Sequence, residues 1–292
     1  MTREARAAFV FLAPALGAML IFFFLPVAAS LLLSLTDFDI YALADPGNAR
    51  FVGLGNYARL LYDPVFWKAL TNTFVFVVVC GPLTLLVALA ASLLVNARLA
   101  RAKALFRTAY FAPVVTTLVA VATVWKYLYH PRFGLIDRLL AGLGVAPIDW
   151  LGDPRWALTA IILLSVWKNF GYDVIILVAG LNSIPESLHE AARLDGAGFW
   201  AHLRHVTLPM LVPSLFFCGV ITTIGYFQIF AEPYVMTNGG GPLDATLTMV
   251  LLMYKQGFRW WNLGYAASVA FVLCVVILVV TALLGRFNRE TA

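Results

Sequence analysis

The sequence predicts an all-α membrane protein with six transmembrane helices and both termini on the cytoplasmic side. Three observations predict it. First, 62% of the 292 residues are hydrophobic and only 12% are charged, whereas a soluble domain has nearer half apolar and about a quarter charged residues. Second, six runs reach the roughly 20 mostly apolar residues that a helix needs to cross the hydrocarbon core. Third, basic residues are densest in the short connections that alternate on one side. The same arithmetic excludes an ordinary soluble enzyme, a disordered chain and a disulfide scaffold.

The runs are about 9–35, 69–95, 105–129, 156–180, 208–231 and 264–285. The first follows Arg3 and Arg6, as a signal peptide would, but it exceeds the roughly 7–15 residues of a cleavable core, so it reads as an uncleaved span. It contains Pro14 and Pro26, and the fifth run contains Pro209 and Pro213. Prolines remove backbone donors that neighbours can replace inside a membrane, so kinks are expected there. Asp-Pro pairs at 45–46, 63–64 and 153–154 and the glycines before Pro242 mark turns in the connections.

With residues 1–8 inside, the inside pieces carry ten basic and five acidic residues, against eight and nine outside. The 96–107 connection alone holds Arg98, Arg101, Lys103 and Arg107. Residues 286–292 then lie inside as well. The net charge of +5 therefore reads as topology, not as nucleic-acid binding, because no basic stripe lies on a polar scaffold. Trp67, Trp125, Trp156, Trp260 and Trp261, with Tyr127 and Tyr129, fall near span ends, where an interfacial belt is expected. Cys80, Cys218 and Cys274 lie inside apolar runs without ligand spacing and read as packing residues.

The connection 181–207 is no simple loop. Pro185 can open a helix with Ser183 as N-cap, Glu186 complements the helix dipole in the first turn, and Gly196 stops it. A second stretch from Phe199 to Val206 leads into the fifth span. Helices that lie on lipid carry mostly basic polar faces. This one carries Glu186, Glu190 and Asp195 against Arg193, which anionic lipid would repel, so a protein partner is the better physical reading.

Glu190-Ala191-Ala192, Asp195-Gly196-Ala197, Leu208-Pro209 and Pro213 resemble the coupling loop of inner-membrane permeases of binding-protein-dependent ABC importers. Phe51-Val-Gly-Leu-Gly-Asn-Tyr57 resembles the external segment before the second span of the carbohydrate-type group. Gly240-Gly241-Pro242, Thr246, Leu247, Tyr254, Gly257-Phe258 and Gly264 resemble that group's last external connection. Leu203, Val206 and the extra Gly239 depart mildly from its pattern. The resemblance covers nearly the whole chain and points to the maltose and glycerol-3-phosphate permease group.

That resemblance implies the type I ABC importer permease fold, a second homologous permease, two cytoplasmic ATPase subunits and an extracytoplasmic solute-binding protein that delivers a carbohydrate. It casts Glu190, Ala191, Ala192, Asp195, Gly196, Ala197 and Pro209 as residues that couple to the ATPase. No phosphate-binding loop of the G-x-x-x-x-G-K-[ST] type occurs in the chain, so ATP and Mg²⁺ would belong to the partner, and no cofactor or metal is expected here.

A polar ligand crossing lipid needs polar groups on a cavity wall. Ser165, Asn169 and Tyr172 fall at i, i+4 and i+7 of the fourth span, and Thr222 and Tyr226 at i, i+4 of the fifth. Each set combines hydroxyl or amide groups with a ring, which suits a sugar, although such groups also bond helix to helix. Lys168 and Asp173 flank the first set. Lys168 keeps an anionic, glycerol-phosphate-type ligand open. A membrane enzyme or a stand-alone carrier competes with this reading, but His130, His189, His202 and His205 form no zinc pair and no G-x-S-x-G elbow occurs.

Overall fold

The computed structural model describes residues 3–96 and 103–291. Arg98 and Arg101, on which the charge reading leans, lie outside the described residues. The described residues are helices and their connections, with one isolated bridge between Thr36 and Phe51.

In chain order, α1 (Arg3–Met19) passes through a widened turn into α2 (Leu25–Ser34), followed by α3 (Ile40–Ala44), α4 (Gly55–Tyr62) and the long α5 (Pro64–Asn96). Next come α6 (Lys103–Val115), α7 (Leu118–Leu128), α8 (Leu135–Ala141) and α9 (Pro154–Asn182). The connection contains α10 (Glu186–Leu194) and α11 (Phe199–His202). Then follow α12 (Leu208–Phe227), α13 (Ala231–Met236), α14 (Met249–Tyr254) and α15 (Leu263–Thr291).

Five helical stretches are individually long and apolar enough to cross a membrane, and α6 with α7 make a sixth only as a bent pair. The expected span 105–129 is therefore not one straight helix. The axes of α6 and α7 differ by 105°. Pro113 removes one backbone donor near the break, and Thr117 is extended, with φ −66° and ψ 134°. The prolines of the first and fifth spans act differently. Pro26 and Pro209 each follow a π-turn, Leu20–Phe24 and Leu203–Thr207, which relieves the clash with the preceding turn. The helix runs on through Pro14 and Pro213. Two of the Asp-Pro pairs are helix starts: Asp63 Oδ1 accepts from Val65 N and Asp153 Oδ1 from Arg155 N, with proline at the first helical position.

Two compact units make up the described chain. The first draws on Met1–Trp67 and Leu252–Val275. None of the most apolar window of its first span is buried, so that helix turns its side chains to lipid or to another protein. Asn56 Nδ2 caps the end of α2 by donating to Ser34 O and Thr36 O at 2.9 and 2.7 Å. Tyr57 shares a hydrogen bond with Ser34. Gly264 packs its backbone on Thr36 O, where a Cβ would collide.

The second unit draws on Lys68–Leu251 and Val276–Ala292. Its core is α9, two-thirds buried over its most apolar window. Phe170, Val174, Leu177 and Val178 pack with Ala88 and Ala91 of α5 and Cys218 of α12. Gly171 lets α6 approach, since a Cβ there would strike the Tyr110 carbonyl. Trp125 and Tyr129 join an aromatic cluster: their rings stand 5.3 Å apart, Tyr129 meets Trp150, and Trp125 meets Trp167. Tyr129 is buried and donates to Ala160 O at 2.9 Å.

Candidate functional site: a cavity between two helices and the loop that joins them

In the second unit, a cavity of about 530 Å³ is lined by α9, α12, Val114 of α6 and residues 228–232. Asn169, Tyr172, Thr222 and Tyr226 all line it, as their helical spacing predicts. Ser165 does not. It is fully buried within α9, and its Oγ has no hydrogen-bond partner among the described residues. One helical turn along the same face has already passed from cavity wall to core.

Two other residues sit differently from their sequence reading. Asp173 lines the cavity and accepts from Thr222 Oγ1 at 3.2 Å, linking α9 to α12. Lys168 is not among the lining residues. Its Nζ donates to the carbonyls of Pro113, Thr116 and Val114 at 2.9, 3.0 and 3.4 Å. These are carbonyls at the break between α6 and α7, and a buried carbonyl without a donor is costly. Lys168, the residue that kept an anionic ligand open in the sequence, is engaged here by backbone carbonyls. No periodicity could show this, because the break that needs the cation is on another helix.

Tyr226 reaches Thr84 of α5 at 2.7 Å. The Thr84 proton is committed to Cys80 O, so Tyr226 is the donor, and its oxygen remains able to accept. The sequence reading also missed Glu232 and Gln228, which fall beyond the end of α12 and complete the lining. Burial pushes the Glu232 carboxyl above its ordinary value, opposed in part by its own backbone N–H and by Lys168.

The connection between α9 and α12 is built as a helical hairpin. Ser183 does not cap α10: its Oγ donates back to Gly180 O at 2.7 Å, closing α9. Instead α10 starts after Pro185, which sits at ψ 132°. The far end is a Schellman turn, with Ala197 N to Ala192 O at 2.9 Å and Gly196 N to Arg193 O at 3.1 Å. Gly196 has φ +74°, the left-handed region that favours glycine. Glu190, Ala191, Asp195, Gly196 and Pro209 are exposed, Ala197 is half-buried and Ala192 is buried. Beside the acids, Leu194, Phe199 and Trp200 are 88, 67 and 77% exposed, an apolar patch of the kind that marks a protein contact. His189 Nδ1 and His202 Nε2 meet at 2.8 Å and hold α10 to α11, a pairing that sequence spacing does not reveal.

The remaining glycine-rich segment is also explained locally. Gly239, Gly240 and Gly241 all have positive φ. Their turn is tied by the Thr237 and Thr246 hydroxyls at 2.6 Å, and Asn72 donates to Asp244 O and Leu247 O at 3.0 Å each.

A family model described as the binding-protein-dependent transport system inner membrane component matches residues 8–292. The chain belongs to that family. This permease is 38% identical over 285 residues to the lactose transport system permease LacF of Rhizobium radiobacter, covering 96% of this chain and 93% of that one. It is 34% identical over 294 residues to the trehalose/maltose transport system permease MalF of Thermococcus litoralis, covering 99 and 96%. Among solved structures, a bacterial ABC transporter involved in import of the acidic polysaccharide alginate superposes with TM-score 0.77 over 99% of the permease and 96% of that chain, at 21% identity. The permease thus has the type I importer fold and is a multi-pass protein of the cytoplasmic membrane.

Proposed function

We propose that this permease is one of two homologous transmembrane subunits of an ATP-driven saccharide importer. An external binding protein delivers the sugar, and two cytoplasmic ATPase subunits hold ATP and Mg²⁺. The observation that carries the reading is the direct connection between the cavity and the exposed hairpin. The cavity is walled by α9 and α12, and the hairpin of α10 and α11 is the segment joining them. A push on the hairpin therefore acts on both walls.

In this reading Glu190, Asp195 and the exposed Leu194, Phe199 and Trp200 meet the ATPase, with Ala191, Ala197 and Pro209 at its edge. Ala192 and Gly196 shape the hairpin. Asn169, Tyr172, Thr222 and Tyr226 present hydroxyl, amide and ring surfaces to the sugar. The names of the lactose and trehalose/maltose relatives support a saccharide over a glycerol phosphate. The engagement of Lys168 with backbone carbonyls removes the residue that favoured a phosphate.

The test is a reconstituted importer assembled with its partner subunits and binding protein. Loaded binding protein is expected to stimulate ATP hydrolysis and saccharide uptake. Replacing Glu190 and Asp195 with Ala is expected to abolish the stimulation while the subunits still co-purify. Saccharide transport by this chain alone, without an ATPase, would overturn the reading.

A further inference from the structure

We infer that the cavity between α9 and α12 excludes anions, with Asp173 and Glu232 as specificity-determining residues, so that its ligand is a saccharide without an anionic group. The inference rests on the proposed saccharide path and narrows it to one charge class.

The cavity lining holds two carboxylates, Asp173 and Glu232, and no lysine, arginine or histidine. They come from different elements, α9 and α13, so the charge is not a local accident of one helix. Asp173 is 2% exposed and is held by the Thr222 hydroxyl from α12. The Cys218 thiol is its other side-chain partner, and the two together leave part of the acceptor capacity of a carboxylate unused. The nearest cation, Lys168, is not on the wall, and its Nζ is engaged by the carbonyls of Pro113, Val114 and Thr116. Its charge acts on Glu232 and not on Asp173, so Asp173 is the uncompensated carboxylate of the wall.

Sugar hydroxyls donate to carboxylates in short, charge-assisted bonds. Asn169, Gln228 and Tyr226 supply the neutral partners on the same wall. A phosphate, sulfonate or uronate placed there would face like charge in a site of low effective dielectric, where repulsion at close range reaches tenfold or more in affinity. The alginate importer, whose substrate is an acidic polysaccharide, shares the fold at low identity, so the fold does not decide charge preference. The side chains on the cavity wall do.

The test reads the cavity potential without needing to know the sugar. In the assembled importer, Cys274, which is exposed, is replaced by Ser. Gly225→Cys then places one thiol on the cavity wall, where a Cβ meets nothing within 4 Å. Labelling rates with a cationic and an anionic methanethiosulfonate are compared, with the ratio normalised to that of free 2-mercaptoethanol. The expected normalised ratio favours the cation by about tenfold or more. It is expected to fall at least about threefold in Asp173→Asn and further in Asp173→Asn/Glu232→Gln. A ratio near unity, or one unchanged in the double variant, overturns the inference. Ile221→Cys is a second reporter on the same wall, and failure of both thiols to react with either reagent also overturns it. Saccharide uptake is measured separately on the unmodified importer, so loss of the saccharide reading and loss of the charge filter give different results.

Discussion

Lys168, in the middle of α9, donates from Nζ to the Pro113 carbonyl at 2.9 Å, and so closes a helix break from the side of another helix. Its side chain is 9% exposed. A buried ammonium survives only where several acceptors replace its hydration, and the carbonyls of Pro113, Val114 and Thr116 do that here.

Replacing Lys168 with Met keeps the length and removes the donors. The three carbonyls are left without their cation, a loss of about 2–5 kcal/mol. Thermal unfolding of the detergent-solubilised protein is expected to shift down by several degrees. Unfolding at the parental temperature would show that the break is satisfied some other way.

Gly196→Ala forces a Cβ into the left-handed region at φ +74°, at about 1–2 kcal/mol. Asn tolerates that region better, so Gly196→Asn is expected to lie between the two. The strain is local, and hydrogen exchange is its measure: amides of α10 are expected to exchange about tenfold faster in Gly196→Ala with global unfolding nearly unchanged. Equal protection in both proteins contradicts the Schellman assignment.

Tyr226→Phe removes the donor to Thr84 but leaves Thr84 bonded to Cys80 O. Stability is expected to drop by only about 0.5–1.5 kcal/mol. Uptake is a separate matter, because the hydroxyl also faces the cavity. Combined with Asn169→Ala, it is expected to lower saccharide uptake about tenfold or more, the value of one or two lost hydrogen bonds. Unchanged uptake and unchanged stimulation of ATP hydrolysis would remove both residues from the substrate path.

Asn56→Leu deprives Ser34 O and Thr36 O of their donor and is expected to cost about 1–3 kcal/mol. Because Asn56 ties the 51–57 segment to the end of α2, limited proteolysis between residues 36 and 55 is expected to quicken. Parental proteolysis rates would assign the anchoring to Tyr57 instead.

The cavity shows how far periodicity reaches. A 3.6-residue repeat placed Asn169, Tyr172, Thr222 and Tyr226 on facing walls, since helix geometry alone sets which residues share a face. It failed at Ser165, because a face that borders a cavity at one turn is core at the next. It could not rank Asp173 above Lys168, since each is a charge on the same apolar helix. Only the opposite surfaces, a hydroxyl from Thr222 and a row of carbonyls from the α6–α7 break, separate them. Ser183 failed as an N-cap for a similar reason: its hydroxyl had a carbonyl of its own helix within reach.

By itself the sequence determined that the chain is helical and membrane-spanning, where most spans run, and that the 181–207 connection is a glycine-stopped helix with an acidic face. Those properties follow from local quantities: hydrophobic length, charge density and the φ a residue tolerates. The tertiary structure alone decided that the third apolar run is broken, that a lysine is consumed in closing it, and that two carboxylates face the ligand space. Each depends on a partner distant in the chain, and the cost of leaving a buried polar group unpaired is settled only where elements meet.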